Sequence, residues 1–139
     1  MTLRHFALTA LLLLPAGTAL ADGVVQKLMT QNDKARLEAF DATRKSALDE
    51  ARAGGTPADI AVLDELVARE PQSFQGLDLT GDWQCRTIKA GGLAELIVYG
   101  WFRCHVTDDG SGWMLTKLTG SQRTTGRFYD DGDTRLIYL

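Results

Sequence analysis

The chain has 139 residues, of which 45% are hydrophobic and 24% are charged, and its net charge at pH 7 is -3. This composition indicates one globular domain, or a small domain with an appendage, and excludes collagen-like, coiled-coil and largely disordered chains. The mildly acidic balance, without a run of basic residues, argues against binding to nucleic acid or to an anionic membrane surface.

Residues 1–21 have the pattern of a secretory signal peptide. Arg4 supplies a positive charge, an apolar run extends to Pro15, and Ala19 and Ala21 occupy the two positions of an A-x-A cleavage site. The apolar run is too short to span a membrane as a helix. The sequence therefore predicts an exported protein, periplasmic or secreted, with no membrane anchor after cleavage.

Residues 22–76 are predicted to form a helical region. A first helix is expected to begin at the T-x-x-D capping box of Thr30 and to end at the glycine pair 54–55. A second helix is expected to begin with Thr56 as its cap, with proline in the first helical position, and to stop at Pro71. Both segments carry apolar residues at helical spacing, so the two helices are expected to form an antiparallel hairpin or to pack together on a sheet.

Residues 77–139 are predicted to form an antiparallel β domain, because this part holds all three tryptophans, all three tyrosines and several tight-turn signals. Short connections between strands favour a meander. The predicted fold class is α+β: a helical hairpin followed by a barrel-like antiparallel β-meander. Because the last strand has no stop signal and five strands are few for a closed barrel, the chain is expected to be a fragment of a longer protein. The predicted strands are 81–89, 95–106, 112–119, 121–129 and 134–139.

The two cysteines, Cys85 and Cys104, are predicted to form a disulfide, because an even number of cysteines in an exported protein usually pairs. The bridge would stabilise the fold by roughly 3 kcal/mol in the chain-entropy model. Two alternatives stay open: a metal site that adds His105 as a third ligand, and a reactive thiol. The spacing lacks the short C-x-x-C of zinc sites, and a fourth ligand is not evident.

The segment 117–127 predicts a ligand site. Alternation along a strand would place hydroxyl and guanidinium groups on one face, and two arginines could bind a carboxylate or phosphate bidentately. The alternative interpretation is a solvated sheet face rich in threonine. Aromatic Tyr99 and Trp101 are expected to share a face with Arg103, where they would line a pocket or form core. The predicted ligand-binding residues are Arg103, His105, Ser121, Arg123, Thr125 and Arg127.

No catalytic set is apparent in the sequence. His105 is the one histidine after the predicted cleavage site, the G-x-S-x-G motif is absent, and the aspartates at 130, 131 and 133 lack the spacing of an EF-hand loop. The sequence thus predicts no catalytic residue, no metal site and no cofactor.

Four sequence blocks together resemble an exported family of Gram-negative bacteria that is catalogued as domain of unknown function 4893. The blocks are GDWQCRT at 81–87, YGWFRC at 99–104, KLTGSQRT at 117–124 and LIYL at 136–139. The resemblance implies no established activity, and it implies a chain that continues beyond residue 139. A looser likeness to avidin-type and lipocalin-type barrels rests on LTGDW at 79–83, and it carries no ligand-binding residue with it.

The function predicted on these grounds is a small binding or interaction module whose partner is a small anionic ligand or another exported protein. Two alternatives stay open. One is a hydrolase-like enzyme that uses His105 with Ser121 or an aspartate, and the other is an envelope structural or assembly factor that acts through its helical hairpin.

Overall fold

The computed structural model describes residues 22–139, and the predicted signal peptide at residues 1–21 lies outside the described residues. Four helices come first along the chain, and five strands follow. The described part of the chain contains no helix that is both long and apolar enough to cross a membrane.

The capping residues that the sequence indicated begin two of the helices. Thr30 accepts a hydrogen bond from the Asp33 backbone N–H, and the Asp33 carboxylate accepts one from the Thr30 N–H in return. Thr56 accepts in the same way from the Asp59 N–H. These contacts satisfy N–H groups that a helix start otherwise leaves without a partner. The helices are α1 (Asp22–Leu28), α2 (Gln31–Glu38), α3 (Phe40–Gly54) and α4 (Pro57–Val67).

The prediction of one continuous first helix was wrong, because the chain bends at Ala39 and forms α2 and α3 separately. Alanine is the best helix former, so local propensity does not explain the break. The bend leaves Leu37 and Phe40, on either side of it, lining one groove together with the last strand. Tertiary packing therefore accounts for the break better than local sequence does.

The five strands form one antiparallel sheet in sequence order, curved into a half-barrel. This arrangement confirms the α+β fold class and the β-meander. The predicted fourth strand was too long, because residues 118–124 form a loop in which Gly120 takes the left-handed conformation, with φ of 89°. The strands are β1 (Gly81–Ala90), β2 (Leu96–Asp108), β3 (Trp113–Lys117), β4 (Thr125–Asp130) and β5 (Leu136–Tyr138).

The predicted disulfide is present between β1 and β2. Cys85 lies opposite Phe102 and Cys104 lies opposite Trp83, so the two cysteines are diagonal neighbours on one face, with Cα atoms 6.0 Å apart. Cys104 is 1% exposed, and Val106 beside it on the same face is also buried. We call this side of the sheet the disulfide face.

A β-bulge changes which side chains share a face of β2. The β1–β2 register shifts between Arg86 and Ile88, and Tyr99 lies in the shifted part of β2. The Tyr99 ring contacts Phe102 on the disulfide face, with centroids 6.5 Å apart, whereas Trp101 contacts Arg86 on the opposite face. The expectation that Tyr99 and Trp101 share a face was therefore wrong, because a bulge inserts one residue and reverses the alternation beyond it.

The turn between β1 and β2 packs on α3. Glu50 accepts a hydrogen bond from the Gly92 N–H at 3.1 Å, and a Cβ built on Gly91 would lie 3.1 Å from the Cα of Ala47. Gly91 also has a positive φ of 76°, so both its space and its conformation favour glycine. At the C-terminal cap of α3, Gly55 lies against the side chain of Leu96. These contacts hold the helices against the closed end of the β1–β2 hairpin.

Candidate functional site

Every second cross-strand pair of β1 and β2 places its side chains on the face opposite the disulfide face, and three such pairs form a mostly polar strip. The register pairs Asp82 with His105, Gln84 with Arg103, and Arg86 with Trp101. Five of these side chains are exposed and His105 is partly exposed. We call these six residues the polar strip.

His105 and Asp82 form a hydrogen-bonded pair at one end of the polar strip. The His105 Nδ1 lies 2.7 Å from the Asp82 Oδ1, with the imidazole 43% and the carboxylate 87% exposed. Neither Ser121 nor any other hydroxyl group hydrogen-bonds to His105 within residues 22–139. Across the sheet, Thr116 of β3 is the register partner of His105, and Thr125 of β4 is the register partner of Thr116. Thr125, one of the residues predicted from the sequence, therefore lies on the same face of the sheet as His105.

Arg127 is engaged by the turn between β2 and β3. Its Nη1 donates to the Asp109 Oδ1, the Ser111 Oγ and the Gly112 carbonyl, and its Nη2 donates to the Asp109 Oδ2 at 2.6 Å. The Arg127 hydrogen bonds, followed by those of Ser111, hold the pKa of the Asp109 carboxyl far below its ordinary value. The carboxylate raises the pKa of Arg127 in turn. This geometry makes the guanidinium a clamp on the turn.

Ser121 and Arg123 lie in the loop between β3 and β4, so no strand alternation places them beside Arg127. The Arg123 Nε donates to the Gly120 carbonyl at a long 3.4 Å. Ser121 lines a pocket with residues of the disulfide face. The structure therefore brings Arg103, His105, Thr125 and Arg127 to one side of the sheet and Ser121 to a pocket on the other.

That pocket has a volume of about 260 Å³ and two lysines at its aromatic wall. The Lys117 Nζ lies 3.7 Å from the centroid of the Phe102 ring, and the Lys89 Nζ lies 5.6 Å from that of Tyr99. Neither ammonium group has a carboxylate within 4.0 Å among the described residues. We call this the lysine pocket, and it is lined by Thr87, Lys89, Tyr99, Phe102, Lys117, Ser121 and Gln122.

Sequence reasoning did not find Lys89 and Lys117. They are 28 positions apart in the sequence and on different strands, and both line one pocket because β1 and β3 lie on either side of β2. The one signal in the sequence was the KLTGSQRT block, which joins a strand lysine to a polar loop. The aromatic wall of the pocket did not follow from the sequence, because it depends on the bulge that turns the Tyr99 ring toward the disulfide face.

A larger groove of about 580 Å³ lies between α2, the start of α3, and β5. Its apolar lining includes Leu37, Phe40, Leu136 and Tyr138. Phe40 is 44% exposed on the helical side. An interaction surface on the helices remains a prediction, and this groove is the place on the helices where it would lie.

No three histidine, cysteine, aspartate or glutamate side chains are arranged so that they could hold a metal ion in the part of the chain that the structure describes. Cys85 and Cys104 are joined to each other, and His105 contacts Asp82. The alternatives of a cysteine metal site and of a reactive thiol at these positions are therefore wrong for the disulfide-bonded state.

The fold and these sites define a class: a small α+β protein with a disulfide-linked antiparallel half-barrel. A family model described as Domain of unknown function (DUF4893) matches residues 25–139, and the chain belongs to this family. No curated protein and no solved structure matches the chain.

Proposed function

We propose that the protein is a small exported binding module that takes an anionic small molecule in the lysine pocket. The observation that carries the proposal is the pair of ammonium groups, Lys89 and Lys117, above an aromatic wall and without a carboxylate partner in the described part of the chain.

Two cationic side chains line this pocket, so the electrostatic potential there favours a bound anion. Lysine ammonium groups are compact point charges with three rotatable donors each, which suits phosphate and carboxylate. The hydroxyl groups of Thr87 and Ser121 and the amide of Gln122 add neutral donors around the same volume. The rings of Tyr99 and Phe102 supply an apolar surface for the body of the ligand.

The size of the pocket limits the ligand. A volume of about 260 Å³ lies just below the range of roughly 300–1,000 Å³ that is usual for small-molecule sites. The ligand class that fits is therefore a small aromatic or apolar acid, such as an aryl phosphate or an aryl carboxylate. Of the residues predicted from sequence, Ser121 belongs to this site.

Export is part of the proposal. The N-terminal pattern of residues 1–21 is that of a secretory signal peptide, and the disulfide between Cys85 and Cys104 is a bond that persists in oxidising compartments. Fractionation of cells that express the full chain tests this part: the protein should be recovered outside the cytoplasm and should begin at Asp22.

Binding of phenyl phosphate and benzoate, measured by isothermal titration, tests the pocket. Lys117→Met and Lys89→Met keep the length of the side chain but remove its charge, and each should weaken binding by about tenfold or more. Lys45→Met on the exposed surface of α3 is the matched control and should leave binding unchanged.

Arg123→Ala decides whether the neighbouring loop arginine takes part. A loss of binding in that variant would assign Arg123 to the site, as the sequence predicts. Equal affinity of wild type, Lys117→Met and Lys89→Met for both anions would refute the proposal.

A further inference from the structure

We propose that the polar strip is a second binding site, distinct from the lysine pocket, and that it takes a short acidic oligosaccharide. The juxtaposition that carries this inference is an exposed tryptophan at one end of a row of charged and amide side chains on the open face of β1 and β2.

Trp101 is 62% exposed although tryptophan is usually well covered by protein. Its ring is braced by the Arg86 guanidinium, 5.2 Å from the ring centroid, and the Arg86 Nε is fixed by a 2.7 Å hydrogen bond to the Tyr99 carbonyl. The indole therefore contacts an anchored group and still presents much of its surface to solvent. The negative face of an aromatic ring attracts the C–H groups of a sugar ring, which carry partial positive charge.

The other two pairs of the strip offer hydrogen-bonding groups at regular spacing. Alternate residues of a strand are about 7 Å apart, so the three pairs extend over about 14 Å, the length of a few linked sugar rings. Gln84 supplies both a donor and an acceptor, Arg103 supplies donors only, and the His105–Asp82 pair supplies both kinds. An oligosaccharide needs this mixture of hydrogen-bond donors and acceptors along its length, because each of its hydroxyl groups can both donate and accept.

The charge of the strip indicates an acidic ligand. Asp82 is engaged by His105, whereas Arg86 and Arg103 have no carboxylate within 4.0 Å in residues 22–139. The two guanidinium groups complement carboxylates of uronic acids, and arginine binds a carboxylate through two parallel hydrogen bonds. A nucleic acid is a poorer match, because the whole chain carries a net charge of -3.

A protein partner is also a poorer match than an oligosaccharide. Strong protein interfaces surround their aromatic and arginine anchors with contacts that exclude water, and they bury about 800 Å² on each partner. Trp101 is the one apolar side chain of the strip, and its five companions are polar or charged. Such a strip remains hydrated, which favours a hydrated sugar chain over a protein partner.

Binding of trigalacturonate and of neutral maltotriose, measured by isothermal titration and by quenching of tryptophan fluorescence, tests this inference. Trigalacturonate should bind wild type more tightly than maltotriose does. Trp101→Ala should weaken trigalacturonate binding by about tenfold or more, and Arg103→Ala should do the same. Trp83→Phe on the disulfide face and Lys45→Met on α3 are controls, and each should leave trigalacturonate binding unchanged.

Melting temperatures of the variants check their folding, and both substituted residues of the strip are exposed. Equal affinity of wild type and Trp101→Ala for trigalacturonate would overturn the inference, as would the absence of binding. Equal affinity for trigalacturonate and maltotriose would overturn its acidic part. Capture of a protein through Trp101, with neither saccharide bound, would identify a protein interface and overturn it as well.

Discussion

Arg127 on β4 binds Asp109 in the turn between β2 and β3 through both terminal nitrogens of its guanidinium, at 2.9 and 2.6 Å. The same guanidinium donates to the carbonyl of Gly112. One side chain thus satisfies the turn and ties it to β4, two strands away along the sheet from β2.

The contact between Arg127 and Asp109 predicts that substitutions of the two residues have coupled effects on stability. Arg127→Ala and Asp109→Ala should each lower the melting temperature, and the double variant should lose less than the sum of the two, because both single changes remove the same interaction. Lys45→Ala, which removes an exposed ion pair with Asp49 on α3, is the control and should change the melting temperature little. Additive losses in the double variant would contradict a direct clamp.

The clamp also predicts a dependence of stability on pH. Because the Arg127 hydrogen bonds lower the pKa of Asp109 in the folded state, the carboxylate stabilises the fold fully above its unfolded pKa, near 3.8. This stabilisation should decline as the pH falls below that value toward the lower folded pKa. Urea unfolding of wild type and Asp109→Asn between pH 2 and pH 6, analysed by their difference, measures it. A difference that is constant through this range would contradict the lowered pKa.

Removal of the disulfide should cost about 2–5 kcal/mol of unfolding free energy. The bond links Cys85 to Cys104, which is buried, and closes the β1–β2 hairpin over a separation of 19 residues. Urea unfolding of wild type with and without reductant measures the loss, and the Cys85→Ala, Cys104→Ala double variant should be insensitive to reductant. Two free thiols in protein isolated without reductant would refute the bond.

Gly126→Ala should destabilise the sheet by about 1–3 kcal/mol, because overpacking forces neighbouring groups to move. A Cβ at this buried position of β4 would lie 2.5 Å from the Tyr138 ring and 2.6 Å from the Leu139 carbonyl. Gly100→Ala on β2 is the matched control: nothing lies within 4 Å of its added Cβ, and its change should stay within about 0.5 kcal/mol. Chemical denaturation compares the two variants, and equal effects would contradict the close packing of β4 on β5.

The segment between α4 and β1 is expected to be the first place that a protease cuts, as the predicted boundary at Gly76 suggests. Phe74 holds this segment to the sheet: its ring meets Trp113 edge to face at 6.3 Å, and its N–H donates to the Asp133 carbonyl. Phe74→Ala should therefore accelerate cleavage of the segment between α4 and β1 by proteinase K, a protease of broad specificity, whereas Leu77→Ala, which removes an exposed side chain, should not. Unchanged resistance in Phe74→Ala would show that other contacts hold the segment.

Local signals in the sequence predicted several features correctly. Thr30 and Thr56 begin helices because their side-chain oxygens reach backbone N–H groups within the same turn. The order of the strands also followed from local information, because short connections require neighbouring antiparallel strands. The pairing of Cys85 with Cys104 needed only their number and the predicted signal peptide.

The candidate sites depended on contacts that sequence spacing does not reveal. Arg127 was predicted to bind a ligand, and its partner in the structure is Asp109, 18 positions earlier in the chain. Ser121 was predicted to share a strand face with Arg127, but the positive φ of Gly120 places it in a loop. Lys117 opens the KLTGSQRT block and Lys89 belongs to no motif, and the sequence alone does not indicate that both line one pocket.

The sequence by itself determined the class of the protein: helices before strands, an antiparallel meander, one disulfide and membership in its family. Those properties rest on residue types and short-range geometry, which act within a few positions of the chain. Tertiary structure alone decided which polar groups are engaged and which are free to meet a ligand. One bulge in β2 moves Tyr99 to the lysine pocket and leaves Trp101 on the polar strip. The physical reason is that a single inserted residue reverses the faces of a strand, so a site built across strands depends on register.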